Sequence, residues 1–143
     1  MALEDTLKEV LATTEVYKVK AQAFHWNVEG PMFVQLHDLF GEIYENMEDA
    51  IDVTAEHIRT LEVYAPQTMK RFLELSVIKE QEKIPNAMLM VKELYEDGEK
   101  ILELLDKAFV ESDTPNRQGI ANFIADRQAV HAKFCWQLNS LMQ

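Results

Sequence analysis

Apolar or neutral residues recur at Leu3, Leu7, Val10, Thr14, Tyr17, Ala21, Phe24 and Val28, in steps of three and four that draw one stripe along a helix. Glu4 and Asp5 stand in its first turn, where acids favour the positive end of the helix dipole. Glu29-Gly30-Pro31 ends this first helix, because glycine tolerates the reversed backbone of a helix end and proline cannot continue the hydrogen bonding. The same periodicity resumes through Phe33, Leu36, Phe40, Tyr44, Met47, Ile51, Ala55, Ile58 and Leu61 or Glu62, so a second helix is expected from Pro31 to about Tyr64. Ala65-Pro66 closes it.

Pro66 to Pro85 is too long for a tight hairpin, and within it Thr68–Leu75 is amphipathic enough for a short helix, with Met69, Phe72, Leu73 and Leu75 available to cap a core. From Ile84 the stripe Met88, Val91, Leu94 or Tyr95, Ile101 or Leu102, Leu105 and Ala108 or Phe109 predicts a third long helix. Ser112–Pro115 breaks the chain, and Ile120, Phe123 or Ile124, Val130 or Ala129, Phe134, Leu138 and Leu141 predict a fourth. The expected fold class is therefore all-α: one domain over residues 1–143, a four-helix bundle with a short extra helix in a long crossover between the second and third helices.

Composition adds constraints of another kind. Four Gly and four Pro are few for a turn-rich fold, which agrees with long helices. The net charge of −11 opposes attraction to nucleic acid phosphates, which depends on Lys and Arg displacing counterions, whereas it suits cations. Acidity of this size also serves ordinary solubility. Cys135 is the only cysteine, so no intrachain disulfide forms and nothing calls for an oxidising compartment. The N-terminus MALEDTLKEV lacks the plan of a signal peptide, and no uncharged apolar run approaches the ~18 residues of a membrane span. A cytoplasmic setting is expected, with no membrane partner.

Candidate chemistry lies between Phe24 and Glu56. His25 and His37 flank the Gly30-Pro31 turn at similar distances, so an antiparallel hairpin puts them side by side. Each is also open to the plainer reading of a half-buried histidine satisfied by a backbone or carboxylate partner. Asp52 and Glu56, four residues apart, project from neighbouring turns of one face. At about 100° per residue they fall about 60° and 100° around the helix from His37, within one broad face. Along the axis, however, Asp52 stands about 22 Å from His37. No single ion spans that. If two copies pack antiparallel about a two-fold axis, the histidines of one meet the acids of the other and two equal sites result. Imidazole with carboxylate is a donor set suited to iron. The alternative of an iron pair inside each bundle, built on Glu-x-x-His spacings, is disfavoured because Gln22, Val34, Thr54 and Gln128 occupy the positions three before the four histidines.

His25-Trp26-Asn27-Val28, Gly30, Phe33, Leu36-His37, Phe40, Tyr44, Asp52 and Ala55-Glu56, with the ending His131 to Leu138, resemble the Dps family, the mini-ferritins of the ferritin-like superfamily. The resemblance covers nearly the whole chain. It implies a hollow homo-dodecamer of four-helix subunits in which ferrous iron is oxidised, preferentially by hydrogen peroxide, at two-fold interfaces, and stored inside as ferric mineral. It implies metal ligands His25 and His37 from one subunit and Asp52 and Glu56 from another, with Trp26 beside the site in a catalytic role.

Three departures stand out against the family pattern. An acid usually follows the second histidine by four residues, and here that position is Gly41, with Glu48 a candidate to compensate. The arginine that commonly follows the ligand glutamate is His57, a further metal contact or a surface or salt-bridging histidine. Asn122 stands where similar proteins often place a pore-lining acid, leaving Asp113 and Asp126 to share that task or to be ordinary helix-end acids. Family members that bind DNA directly often carry a Lys-rich terminal extension; this sequence shows none, so no tight direct DNA binding is expected. Two other functions remain open: a cage or metal buffer with weakened chemistry, and a plain helical interaction protein.

Overall fold

The computed structural model describes residues 2–143 and consists of five helices: α1 (Ala2–Asn27), α2 (Phe33–Thr60), α3 (Met69–Leu75), α4 (Ala87–Ser112) and α5 (Gln118–Leu141). The four long ones form a bundle of two hairpins, α1 with α2 and α4 with α5. The hairpins meet where α1 packs on α4, and α3 lies against α1. This is the expected all-α class, a ferritin-like four-helix bundle with a short extra helix in the crossover. Leu7, Leu11, Tyr17, Leu36, Phe40, Ile43, Met47, Met90, Leu94, Ile101 and Leu105 are almost wholly buried and fill the centre. No helix is long and apolar enough to cross a membrane.

The helix boundaries differ from the sequence expectation for local reasons. Gly30 has φ +115°, and Phe33 N–H donates to Gly30 O at 3.0 Å. Pro31 therefore belongs to a closed turn, and α2 begins two residues later than expected. At its other end Glu62 adopts φ +65°, which stops the helix short of Tyr64, itself 82% exposed. Helix α4 begins at Ala87 rather than Ile84 because the Asn86 side chain accepts from Leu89 N–H, a capping bond that fixes the first turn. Ile84 is left exposed, and so is Met88, whose place in the core is taken by Met90. Helix α3 is capped likewise by Thr68, which accepts from Arg71 N–H. None of its residues is fully buried; Phe72 packs partly on the core, while Met69 and Leu73 remain exposed.

The crossover is pinned to the bundle rather than draped over it. Val77 N–H donates to Thr13 Oγ1 at 3.0 Å, Ile78 is buried, and Gln81 donates to Glu93 at 2.7 Å.

Candidate metal centre

His25 occupies the last turn of α1 and His37 the second turn of α2. The turn between them is short, so the two helices run side by side from it and the rings meet. Their centroids lie 3.8 Å apart with planes inclined by 14°. The backbone contacts are reciprocal: His25 Nδ1 donates to His37 O at 2.6 Å, and His37 Nδ1 to His25 O at 2.7 Å. A carbonyl oxygen only accepts, so both hydrogens sit on Nδ1 and both Nε2 atoms carry lone pairs. Neither Nε2 has a hydrogen-bond partner among the described residues. Each histidine is thus satisfied by backbone at one nitrogen, as the plainer reading has it, while the other nitrogen keeps its lone pair.

Aromatic neighbours fix the stack. Phe33 lies against His37 with centroids 5.0 Å apart, and Tyr44 is tilted against His25 at 5.4 Å. Both stood in the sequence as stripe positions and as part of the family pattern, with no sign of a contact to the histidines. Metal–imidazole bonds lie in the ring plane at about 2.1 Å; rings inclined by 14° do not aim both lone pairs at one point. The pair presents two donors side by side rather than a chelate.

Asp52 and Glu56 lie about four to five turns further along α2, both exposed, and neither makes a hydrogen bond or ion pair among the described residues. Within one chain the structure does not bring them to the histidines, and no group of three or more His, Cys, Asp or Glu among the described residues is placed to hold a metal ion. Trp26, next to His25, is 64% exposed, and Phe33, Val34 and Val53 are exposed apolar neighbours of the ligand positions in sequence.

The three departures have structural explanations of unequal weight. The His25 ring lies directly over Gly41: a Cβ built there meets His25 Cε1 and Nδ1 at 3.0 Å. Glu48, the candidate to compensate for the missing acid, pairs with Lys18 of α1 at 3.2 Å. His57 is half-buried and forms no salt bridge among the described residues. It packs on Phe123 of α5 with centroids 4.9 Å apart, and burial lowers its pKa. Asp113 caps the end of α4, and Asn122 and Asp126 are exposed.

A second polar cluster, inside the bundle, had no sequence signal. Lys20 of α1 pairs with Asp97 at 2.6 Å and Glu93 at 2.8 Å, both on α4. Burial raises the Asp97 pKa against the opposing pull of Lys20. Tyr17 donates to Leu94 O at 2.8 Å and touches His131 of α5. Arg127 donates to Asn46 at 2.6 Å, and burial lowers its pKa to about 10. His131 is enclosed; burial, with the Arg127 charge, brings its pKa down to about 3.

Comparison with known proteins agrees with this geometry. A ferritin-like domain family model matches residues 4–143. The chain is 35% identical over 139 residues to a low temperature-induced protein of Nostoc sp., covering 96% of this chain and 78% of that one. It is 31% identical over 141 residues to a DNA protection during starvation protein of Helicobacter pylori, covering 95% of each. The chain belongs to the Dps family of ferritin-like proteins. Its fold matches the crystal structure of the Dps protein of Vibrio cholerae O1 with a TM-score of 0.93 at 25% identity, over 99% of this chain and 89% of that one. That protein is described as a member of a broad superfamily of ferritin-like diiron-carboxylate proteins.

Proposed function

We propose that this Dps-family chain is a cytoplasmic mini-ferritin. It assembles as a hollow dodecamer, oxidises ferrous iron with hydrogen peroxide at sites shared between subunits, and stores the ferric product inside. The observation that carries the reading is the reciprocal Nδ1-to-carbonyl lock of His25 and His37, which spends one nitrogen of each ring on structure and leaves the other as a lone-pair donor. Preorganised imidazoles of this kind serve a metal ion better than free ones, since orientation and tautomer are fixed in advance. The histidines supply no negative charge. Asp52 and Glu56, unpaired and exposed on the same helix, supply it from a second copy in a two-fold arrangement. The exposed apolar residues Trp26, Phe33, Val34 and Val53 give that copy a surface to cover.

In this reading iron is substrate. One peroxide takes an electron from each of two ferrous ions and leaves as two hydroxides, so the oxidant is consumed without releasing hydroxyl radical. The chain's part is to hold two ions near one another through side-by-side imidazoles, to bridge and neutralise them with the partner's carboxylates, and to place Trp26 against the site. The net charge of −11 favours cation entry and opposes direct binding of DNA. A gel shift at low salt with complexes at sub-micromolar protein would overturn that last point.

A complementation experiment tests the shared site. His25→Ala/His37→Ala and Asp52→Asn/Glu56→Gln are each expected to abolish peroxide-driven ferrous oxidation. Subunits of the two variants co-assembled at random in equal amounts restore about a quarter of the sites, because half of the pairs are mixed and each mixed pair contains one intact site. No recovery in correctly assembled mixtures places both ligand sets in one chain or in neither. Gly41 favours a second reading, a cage that buffers metal with weakened chemistry, since an imidazole seat replaces the family's usual acid there. That reading predicts assembly and metal binding with oxidation no faster than in buffer.

A further inference from the structure

The reading of His25 and His37 as iron ligands leaves open why the middle of α2 carries a glycine, a residue that weakens a helix. We propose that Gly41 is a positioning residue: its lack of a side chain gives the His25 imidazole a seat on α2, and this seat holds the stacked, Nδ1-protonated pair whose Nε2 atoms face metal. The inference rests on that reading and deepens it.

Gly41 is buried, and the atoms a Cβ would meet are Cε1 and Nδ1 of His25, both at 3.0 Å. Ordinary contacts of a Cβ are longer, so a side chain at position 41 requires the ring to give way by a few tenths of an ångström. The ring has little freedom to do so. Its Nδ1 is held 2.6 Å from His37 O, its face rests 3.8 Å from the His37 ring, and Tyr44 is tilted against it at 5.4 Å. Displacement lengthens the hydrogen bond or opens the stack, and either releases the tautomer. A His25 ring free to carry its hydrogen on Nε2 presents a donor where iron needs a lone pair. Gly41 is thus the counterpart of the short turn at Gly30: one brings the histidines together, the other lets one of them lie flat.

The test is a cycle between positions 41 and 25, read without iron oxidation. In the His25→Ala background, Gly41→Ala meets no ring and raises Tm, as alanine for glycine in a helix does. In the parent it gives no such gain, because the new methyl meets His25. Equal Tm shifts in both backgrounds overturn the proposal. Nitrogen-resolved NMR of the imidazoles supplies the signature that a merely structural role leaves unmoved: His25 and His37 are both Nδ1–H in the parent, and His25 becomes a tautomer mixture in Gly41→Ala. Titration with Co(II) then shows affinity about 10–100-fold lower in Gly41→Ala. Unchanged His25 resonances and Co(II) affinity in Gly41→Ala overturn the role of Gly41 while leaving the ligand reading intact. Parent-like Co(II) binding by His25→Ala/His37→Ala overturns the ligand reading itself.

Discussion

Histidines at the hairpin end and at the centre of the bundle meet opposite fates. His25 and His37 are half-buried, share their Nδ1 hydrogens with backbone and keep Nε2 free. His131 is 1% exposed, and its Nε2 lies 3.5 Å from the Arg127 guanidinium. Nearby, Lys20 is paired with both Glu93 and Asp97, the acids that face the inside of the bundle from α4. Both regions contain nitrogen and carboxylate donors. At the hairpin end both Nε2 lone pairs are uncommitted, whereas at the centre His131 turns Nε2 to the Arg127 guanidinium and buries Nδ1 without a hydrogen-bond partner among the described residues. The hairpin end, where these free donors lie, is also where the proposed site draws its acids from a second copy.

The sharpest way to break the contrast is to remove the internal cation. Lys20→Met leaves Asp97 buried without its partner, and loss of one member of a buried pair costs about 3–5 kcal/mol. Urea unfolding is expected to show that loss. Lys20→Met/Asp97→Asn should recover part of it, since the stranded charge is gone. Ferrous oxidation per folded protein should stay at the parent level in both variants. A fall in oxidation matching that of His25→Ala/His37→Ala would mean the centre takes part in the chemistry.

Acid exposes the second difference. His131 has its pKa lowered to about 3 in the folded state, from the ordinary 6.5 of a histidine. Between these values the unfolded chain binds the extra proton and the folded chain does not, so stability falls as pH drops from about 6.5 toward 3. The raised Asp97 pKa acts oppositely from 3.8 upward, so the His131 part is isolated by comparison with His131→Gln. Between pH 7 and 4.5 the parent is expected to lose on the order of 2 kcal/mol more than the variant. Equal losses would mean that His131 takes up its proton in the folded protein.

The two regions were also unequally legible. Gly30-Pro31, two histidines around it and two acids one turn apart advertise the hairpin site, because helix geometry ties sequence spacing to position over such short spans. The same geometry showed that these groups cannot meet within one chain. The bundle centre gave no such sign. Lys20 and Asp97 are 77 residues apart and Arg127 and Asn46 81, and Lys20 alone reads as a surface lysine. Pairing across helices depends on their rotation and register, which local periodicity does not fix. Helix ends were missed where a side chain or a turn decides them, as at Asn86 and Glu62.

Gly41 and Glu48 carry the finest version of the contrast. As letters, a glycine in place of an acid suggests a weakened site, with Glu48 about two turns further on as its substitute. In three dimensions the glycine is filled by His25, and Glu48, 58% exposed, is held by Lys18. Such a pair at the surface contributes between nothing and about 1 kcal/mol. Glu48→Gln should therefore shift thermal unfolding only slightly, with Co(II) affinity and ferrous oxidation at the parent level. A loss of Co(II) affinity comparable to that of Asp52→Asn would return Glu48 to the ligand set. It would also mean that Lys18 releases it when a partner subunit docks, so that the surface pair holds the ligand in reserve rather than removing it.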